Sequence, residues 1–233
     1  MSARTQPASA LARHRLGDGA VQVWVADLDA IAEEPSDLLS DEEKERARRF
    51  VRERDRQRWA RARGLLRILL GQYLHSDPGA LRLATGARGK PELLGDTQEL
   101  CFNLAHSAGL ALYALTSGQA VGVDVEAAGR RIDALAVAER AFGSAAARRL
   151  GNLDPGTRER EFLRAWVKHE AALKCLGSGL GGSETDAHGR RPWVAELDLG
   201  PRAAAAVAVM GEPTEVSCLE WRLTSSGRVA AIP

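Results

Sequence analysis

Three carboxylates carry the chemistry open to this chain. Asp124 and Glu126 stand two residues apart in Gly122-Val-Asp-Val-Glu126, and Glu170 follows on a helix that the spacing predicts from near Arg158 to Leu176. Alternate residues of a strand share a face, so Gly122, Asp124 and Glu126 point one way and Val121, Val123 and Val125 the other. Like charges held so close repel unless a cation lies between them, and oxygen ligands without His or Cys favour magnesium over zinc. A phosphate ester is the usual companion of such an ion. The competing reading of the acid pair is an edge strand with a solvated face. Glu170 and Lys174, four residues apart, flank an apolar stripe of Phe162, Trp166, His169, Leu173 and Leu176. Taken as structure alone, they form a surface ion pair worth about 0.3 kcal/mol.

The elements that must position these groups can be read around them. Ala20–Val25 alternates as a strand, and Ser40-Asp-Glu-Glu43 is a capping box that opens a long helical stretch. Between Lys44 and Arg67 there are 11 Lys/Arg against 3 Asp/Glu. Such a run is either a solvated helix face or an anion site. Apolar residues from Leu65 to Leu70 carry the helix into the core, up to a stop near Ser76-Asp-Pro-Gly79. Phe102–His106, Leu110–Leu115 and Val121–Glu126 then read as three strands, and their short turns suggest antiparallel hairpins. Helices are expected between Ile132 and Leu150 and up to Leu176, followed by strands at 194–199, 203–210 and 216–223. Gly177-Ser-Gly-Leu-Gly-Gly182 has dinucleotide-loop spacing, but it follows a helix where that motif needs a strand, so it reads as a helix stop and loop.

Strands, helices and strands recur in that order, which suggests an α+β fold of two halves meeting near residue 118. The expected division is 1–18 without regular structure, 19–118 as the first half and 119–233 as the second. Charged residues make up 27% of the chain and hydrophobic ones 45%, with a formal net charge of +1, so neither nucleic acid nor a membrane is an expected partner. Cys101, Cys175 and Cys218 are odd in number and lack metal-type spacing, which fits buried free thiols in the cytoplasm.

Four segments in this order resemble the surfactin-type 4′-phosphopantetheinyl transferases: Gly89-Lys-Pro91, Phe102-Asn-Leu-Ala-His-Ser107, Gly122-Val-Asp-Val-Glu126 and Trp166-Val-Lys-His-Glu-Ala-Ala-Leu-Lys174. The resemblance implies a monomer of two similar α+β halves related by a pseudo-twofold axis, with coenzyme A held between them. It further implies transfer of the 4′-phosphopantetheine arm to a serine of an apo acyl or peptidyl carrier protein, with magnesium present and 3′,5′-ADP released. By the same resemblance Asp124, Glu126 and Glu170 hold the ion, and Asp124 also belongs to the cofactor site. Lys174 contacts the diphosphate, and Glu170 takes the serine proton. Arg46, Arg58, Lys90 and His106 face the 3′-phosphate. Three positions depart from the family pattern. Ala105 stands where many members have Ser, His169 replaces the lysine before the glutamate, and Phe142 is followed by Gly143 instead of Glu. These departures keep open a non-catalytic module that binds coenzyme A or a carrier protein. The resemblance and the Ala- and Arg-rich composition point towards bacterial secondary metabolism, with polyketide, peptide and fatty-acid carriers all eligible.

Overall fold

The computed structural model describes residues 16–31, 35–86, 89–95, 99–129, 132–179, 181–223 and 229–232, so residues 1–15 of the expected unstructured segment lie outside the described residues. In chain order the elements are β1 (Ala20–Asp27), α1 (Asp41–Arg48), α2 (Glu53–Tyr73), β2 (Leu83–Thr85), β3 (Pro91–Leu93), β4 (Leu100–Ser107), β5 (Leu110–Ser117) and β6 (Val121–Ala127). Then follow α3 (Ala134–Phe142), α4 (Ser144–Gly151), α5 (Pro155–Leu176), β7 (Trp193–Leu197), β8 (Ala203–Val209), β9 (Glu215–Leu223) and β10 (Val229–Ile232).

Two sheets result, one ordered β10-β9-β1-β5-β4 and one ordered β6-β8-β7, with β2 and β3 paired apart from both. Alternation dictates how they stack. On β1, Trp24 and Ala26 pack towards α2 while Val21 and Val23 face the second sheet, and on β5 Tyr113 and Leu115 oppose Leu112 and Ala114 in the same way. On the second sheet Val121, Val123, Val125, Val207 and Val209 complete that inter-sheet core, and Ala206 and Ala208 turn outward under α5. The order is therefore helix, sheet, sheet, helix, with α3 and α4 packed on the flank of α5.

The α+β class with two sheet-and-helix halves matches expectation, while three local expectations need correcting. The turn at Thr116–Gln119 makes no hairpin: β5 pairs with β1 and β4, and β6 departs to pair with β8. The chain also returns, because β9 runs parallel to β1 and, with β10, completes the first sheet from residues beyond 118. The stripe on α5 lies elsewhere than predicted. Its sheet-facing residues are the small Val167, Ala171 and Cys175, whereas Phe162 and the partly buried Trp166 pack towards α3 and α4. Bulky side chains drew the periodicity to the flank because both faces of this helix are covered. Asp154 caps it through the Thr157 N–H with Pro155 at the first helical position, so the helix begins earlier than read.

The basic stretch is two helices, and part of it is core. Ser40 and Glu43 form the predicted capping box, yet the Glu43 carboxylate also receives Arg63 Nε and, at 2.7 Å, Arg67 Nε. Arg67, 1% exposed, donates further to the Pro78 and Leu81 carbonyls at 3.1 and 2.9 Å. Burial alone raises the Glu43 pKa, but Arg67, the Ser40 N–H and Arg63 outweigh it and hold the group below its ordinary 4.5. Its stabilising contribution is therefore complete above the ordinary carboxylate range and is lost as pH falls through the lower folded value. Glu43→Gln should cost about 3–5 kcal/mol at pH 7, since it leaves two buried guanidiniums without a counter-charge. Urea unfolding of both proteins between pH 3 and pH 7 checks this, with the gap expected to narrow at the acid end.

Candidate active site

Gly122 decides how closely α5 can lie on β6. A Cβ there would sit 2.1 Å from the Ala171 carbonyl oxygen and 2.4 Å from the Cys175 nitrogen, so only glycine lets the helix backbone reach the strand. That seating brings Lys174 level with Asp124, two residues along the same face of β6. Lys174 Nζ donates to Asp124 Oδ1 at 2.6 Å. The Asp124 side chain is 8% exposed and Lys174 31%, so the pair is mostly buried, with the ammonium its more open member.

Around this pair the three carboxylates share one wall. Burial pushes the Asp124 pKa up to about 6, against the pull of Lys174 and with the charges of Glu126 and Glu170 adding to the rise. Glu170 is also raised, chiefly by burial, with Lys174 and His169 opposing and Glu126 contributing. Asp124 Oδ2 and Glu170 Oε1 are buried with no hydrogen-bond partner among the described residues. Buried carboxylate oxygens without donors are expensive, and a cation is the partner that suits both. Among the described residues no three His, Cys, Asp or Glu side chains are drawn together tightly enough to cage an ion. The Lys174 ammonium takes up the negative charge of Asp124 instead. The donor set still fits a hard divalent ion, since it is all oxygen and has orphan acceptors on two of its three members.

The other predicted residues divide. His106, exposed near the end of β4, has its pKa lowered by surrounding protein and by the charge of Lys174. Arg58 forks onto Asp29, with Nε 2.8 Å from Oδ1 and Nη2 on Oδ2, while Arg54 Nη2 lies 2.8 Å from Oδ2. Asp29 lies against Gly109 in the β4–β5 turn, close to His106 in sequence. Arg46 is exposed on α1, with its guanidinium 5.7 Å from the Trp59 ring centre, and it lines an open depression with Glu42, Arg49 and Phe50. Lys90 is the outlier. Its ammonium lies 3.4 Å from both the Val121 and Lys174 carbonyls and its pKa is lowered by burial, so it stands at the joint between the halves.

Two contributors were missed in the sequence. Ser107 donates to Glu126 Oε2 at 2.8 Å and Asn103 Oδ1 accepts the Val123 N–H at 2.8 Å, so β4 holds β6 through side chains. Their i, i+4 spacing on one face of a strand was the available signal. His169 packs edge-on against Phe142 at 5.3 Å and its Nδ1 meets Glu184 at 3.3 Å, which agrees with the packing role expected for it.

Comparison with known proteins places this arrangement. Residues 120–232 match the 4′-phosphopantetheinyl transferase superfamily, and residues 29–117 match the family described as 4′-phosphopantetheinyl transferase, N-terminal. The 4′-phosphopantetheinyl transferase HetI of Nostoc sp. is 36% identical over 166 residues, covering 69% of this chain and 70% of that protein. A phosphopantetheinyl transferase of Thraustochytrium sp. is 29% identical over 155 residues, covering 61% of this chain and 54% of that protein. The Homo sapiens L-aminoadipate-semialdehyde dehydrogenase-phosphopantetheinyl transferase is 28% identical over 153 residues, covering 61% of this chain and 50% of that protein. The two sheet-and-helix halves are thus those of a group-transfer enzyme, and the chain belongs to the 4′-phosphopantetheinyl transferase superfamily. Its activity is transfer of the phosphopantetheinyl group. No helix among the described residues is long and apolar enough to cross a membrane.

Gly122→Ala should force α5 off β6, costing about 1–3 kcal/mol by overpacking. It should also break the Lys174–Asp124 contact, so transferase activity is expected to fall further than the fraction of unfolded protein accounts for. Chemical unfolding beside rate measurements on the folded fraction checks both.

Proposed function

We propose that this enzyme is of the surfactin type and moves the 4′-phosphopantetheine arm of coenzyme A to a serine of an apo acyl or peptidyl carrier protein, with magnesium present and 3′,5′-ADP released. The observation that carries the reading is the cleft wall itself, with Asp124, Glu126 and Glu170 beside Lys174 and two buried carboxylate oxygens lacking a donor. Asp124, Glu126 and Glu170 would hold magnesium, which when bound supplies positive charge against the diphosphate.

The remaining work falls to the chain. The serine oxygen attacks the β-phosphorus, a new P–O bond forms, and the bond to the departing 3′,5′-ADP breaks. Glu170, directly or through a water, accepts the serine proton, and its raised pKa brings it closer to neutrality as a base. Lys174 offers its ammonium to the phosphates and to the charge on the leaving group. Arg46, Arg58, Lys90 and His106 serve the 3′-phosphate. In that role Arg58 exchanges Asp29, and Lys90 its two carbonyls, for phosphate oxygens. The cleft is built from one polypeptide, which suits a monomer, and the three free cysteines suit a cytoplasmic enzyme.

Incubating the protein with coenzyme A, magnesium and a panel of apo carriers should add one phosphopantetheine mass to at least one carrier, seen by intact-mass spectrometry and abolished by EDTA. Glu170→Gln is expected to lower turnover by about 100-fold or more while coenzyme A affinity changes only a few-fold. Equal losses of both would remove Glu170 from the proton transfer.

A further inference from the structure

The strand that carries two of the carboxylates gains no ladder from the strand beside it in the other sheet. Among the described residues β6 pairs only with β8, and β4 pairs only with β5. Where β4 passes β6, side chains do the joining. Asn103 Oδ1 accepts the Val123 N–H at 2.8 Å, and four residues along β4 the Ser107 hydroxyl accepts the Ala127 N–H at 3.1 Å. That second contact settles the hydroxyl. With a lone pair committed to Ala127, its proton is directed to Glu126 Oε2 at 2.8 Å. Ser107 is 5% exposed and Asn103 2%; the Asn103 bond is fully buried, and the Ser107 bonds lie at the half-buried edge where Glu126 begins to meet solvent.

From this geometry we infer that Ser107 is a positioning residue for Glu126: a hydroxyl from the first half that fixes which way a carboxylate of the second half presents its oxygens. The inference rests on the proposed role of Glu126 in holding the divalent ion. The two β4 side chains divide the work. Asn103 accepts the Val123 backbone N–H and sets the register of β6, whereas Ser107 grips both the backbone and the Glu126 carboxylate. One side chain thereby ties the carboxylates to the strand that ends in His106 and to the turn against which Asp29 and Arg58 rest. The distance between the proposed diphosphate and 3′-phosphate contacts is then governed in part by a single hydrogen bond. A hydroxyl that donates to a metal-binding carboxylate orients it from outside the ligand shell.

The test compares wild type, Ser107→Ala, Ser107→Thr and Asn103→Ala on the full-length protein, with three readouts. These are Mn²⁺ affinity by electron paramagnetic resonance without substrate, kcat and KM from a coenzyme A titration at saturating carrier, and thermal stability. Ser107→Ala is expected to weaken Mn²⁺ binding and lower kcat by about 10-fold or more, with KM for coenzyme A within two- to three-fold of wild type. Ser107→Thr, which keeps the hydroxyl, should recover most of both. Asn103→Ala should lower stability while the folded fraction keeps near-wild-type Mn²⁺ affinity. If Ser107→Ala loses only stability, with Mn²⁺ affinity and kcat unchanged, the hydroxyl is a strut between sheets and the inference is overturned. If the wild-type protein itself neither binds Mn²⁺ nor needs a divalent ion for transfer, it is the ion-holding reading that fails.

Discussion

The contact between the backbone of α5 and Gly122 of β6 governs the rest of the molecule. Helices usually rest on sheets through side chains, and here the missing Cβ, with Ala206 and Ala208 on the neighbouring strand and Ala171 on the helix, lets the backbones close in. The small stripe on α5 is therefore as much part of the reactive site as the acids are. A longer spacing would carry Lys174 out of reach of Asp124 and leave Glu170 facing solvent. The Asp154 cap and the left-handed Gly177 stop at its two ends fix the helix along its axis.

That seating carries an electrostatic cost that the fold absorbs elsewhere. Three neighbouring acids, two with orphan buried oxygens and one with its pKa pushed up to about 6, are destabilising in the free protein, and under the proposed function phosphates and a cation would relieve that cost. The inter-sheet valine core and the α2 core supply the compensation, and the Glu43 carboxylate, shared by two buried guanidiniums, ties α1 to α2.

Much of the site was legible because it is local. The alternation in Gly122–Glu126 put both acids on one face, the four-residue step from Glu170 to Lys174 put a carboxylate and an ammonium on one flank of α5, and the Ser40 box set the start of α1 correctly. What escaped was decided by distant partners. Nothing near Arg58 announces Asp29, 29 residues away, and nothing near Arg63 or Arg67 distinguishes a buried guanidinium from a solvated one until α1 arrives with Glu43. The turn after β5 reads like a hairpin whether or not the next strand stays in its sheet. The role of Lys90 at the joint depends on carbonyls from two other elements.

The parallel pairing of β1 with β9 has a consequence for synthesis of the protein. β1 acquires its neighbour on one side from β5 early, but the opposite edge stays open until residues 215–223 have been made. A nascent chain therefore presents an unprotected strand edge through most of translation, with the apolar Val21, Val23 and Trp24 beside it. Closure of that edge is a late, long-range event of the kind that slows folding. The second half cannot be completed as a separate unit on the ribosome, since its last strands belong to the sheet begun by the first.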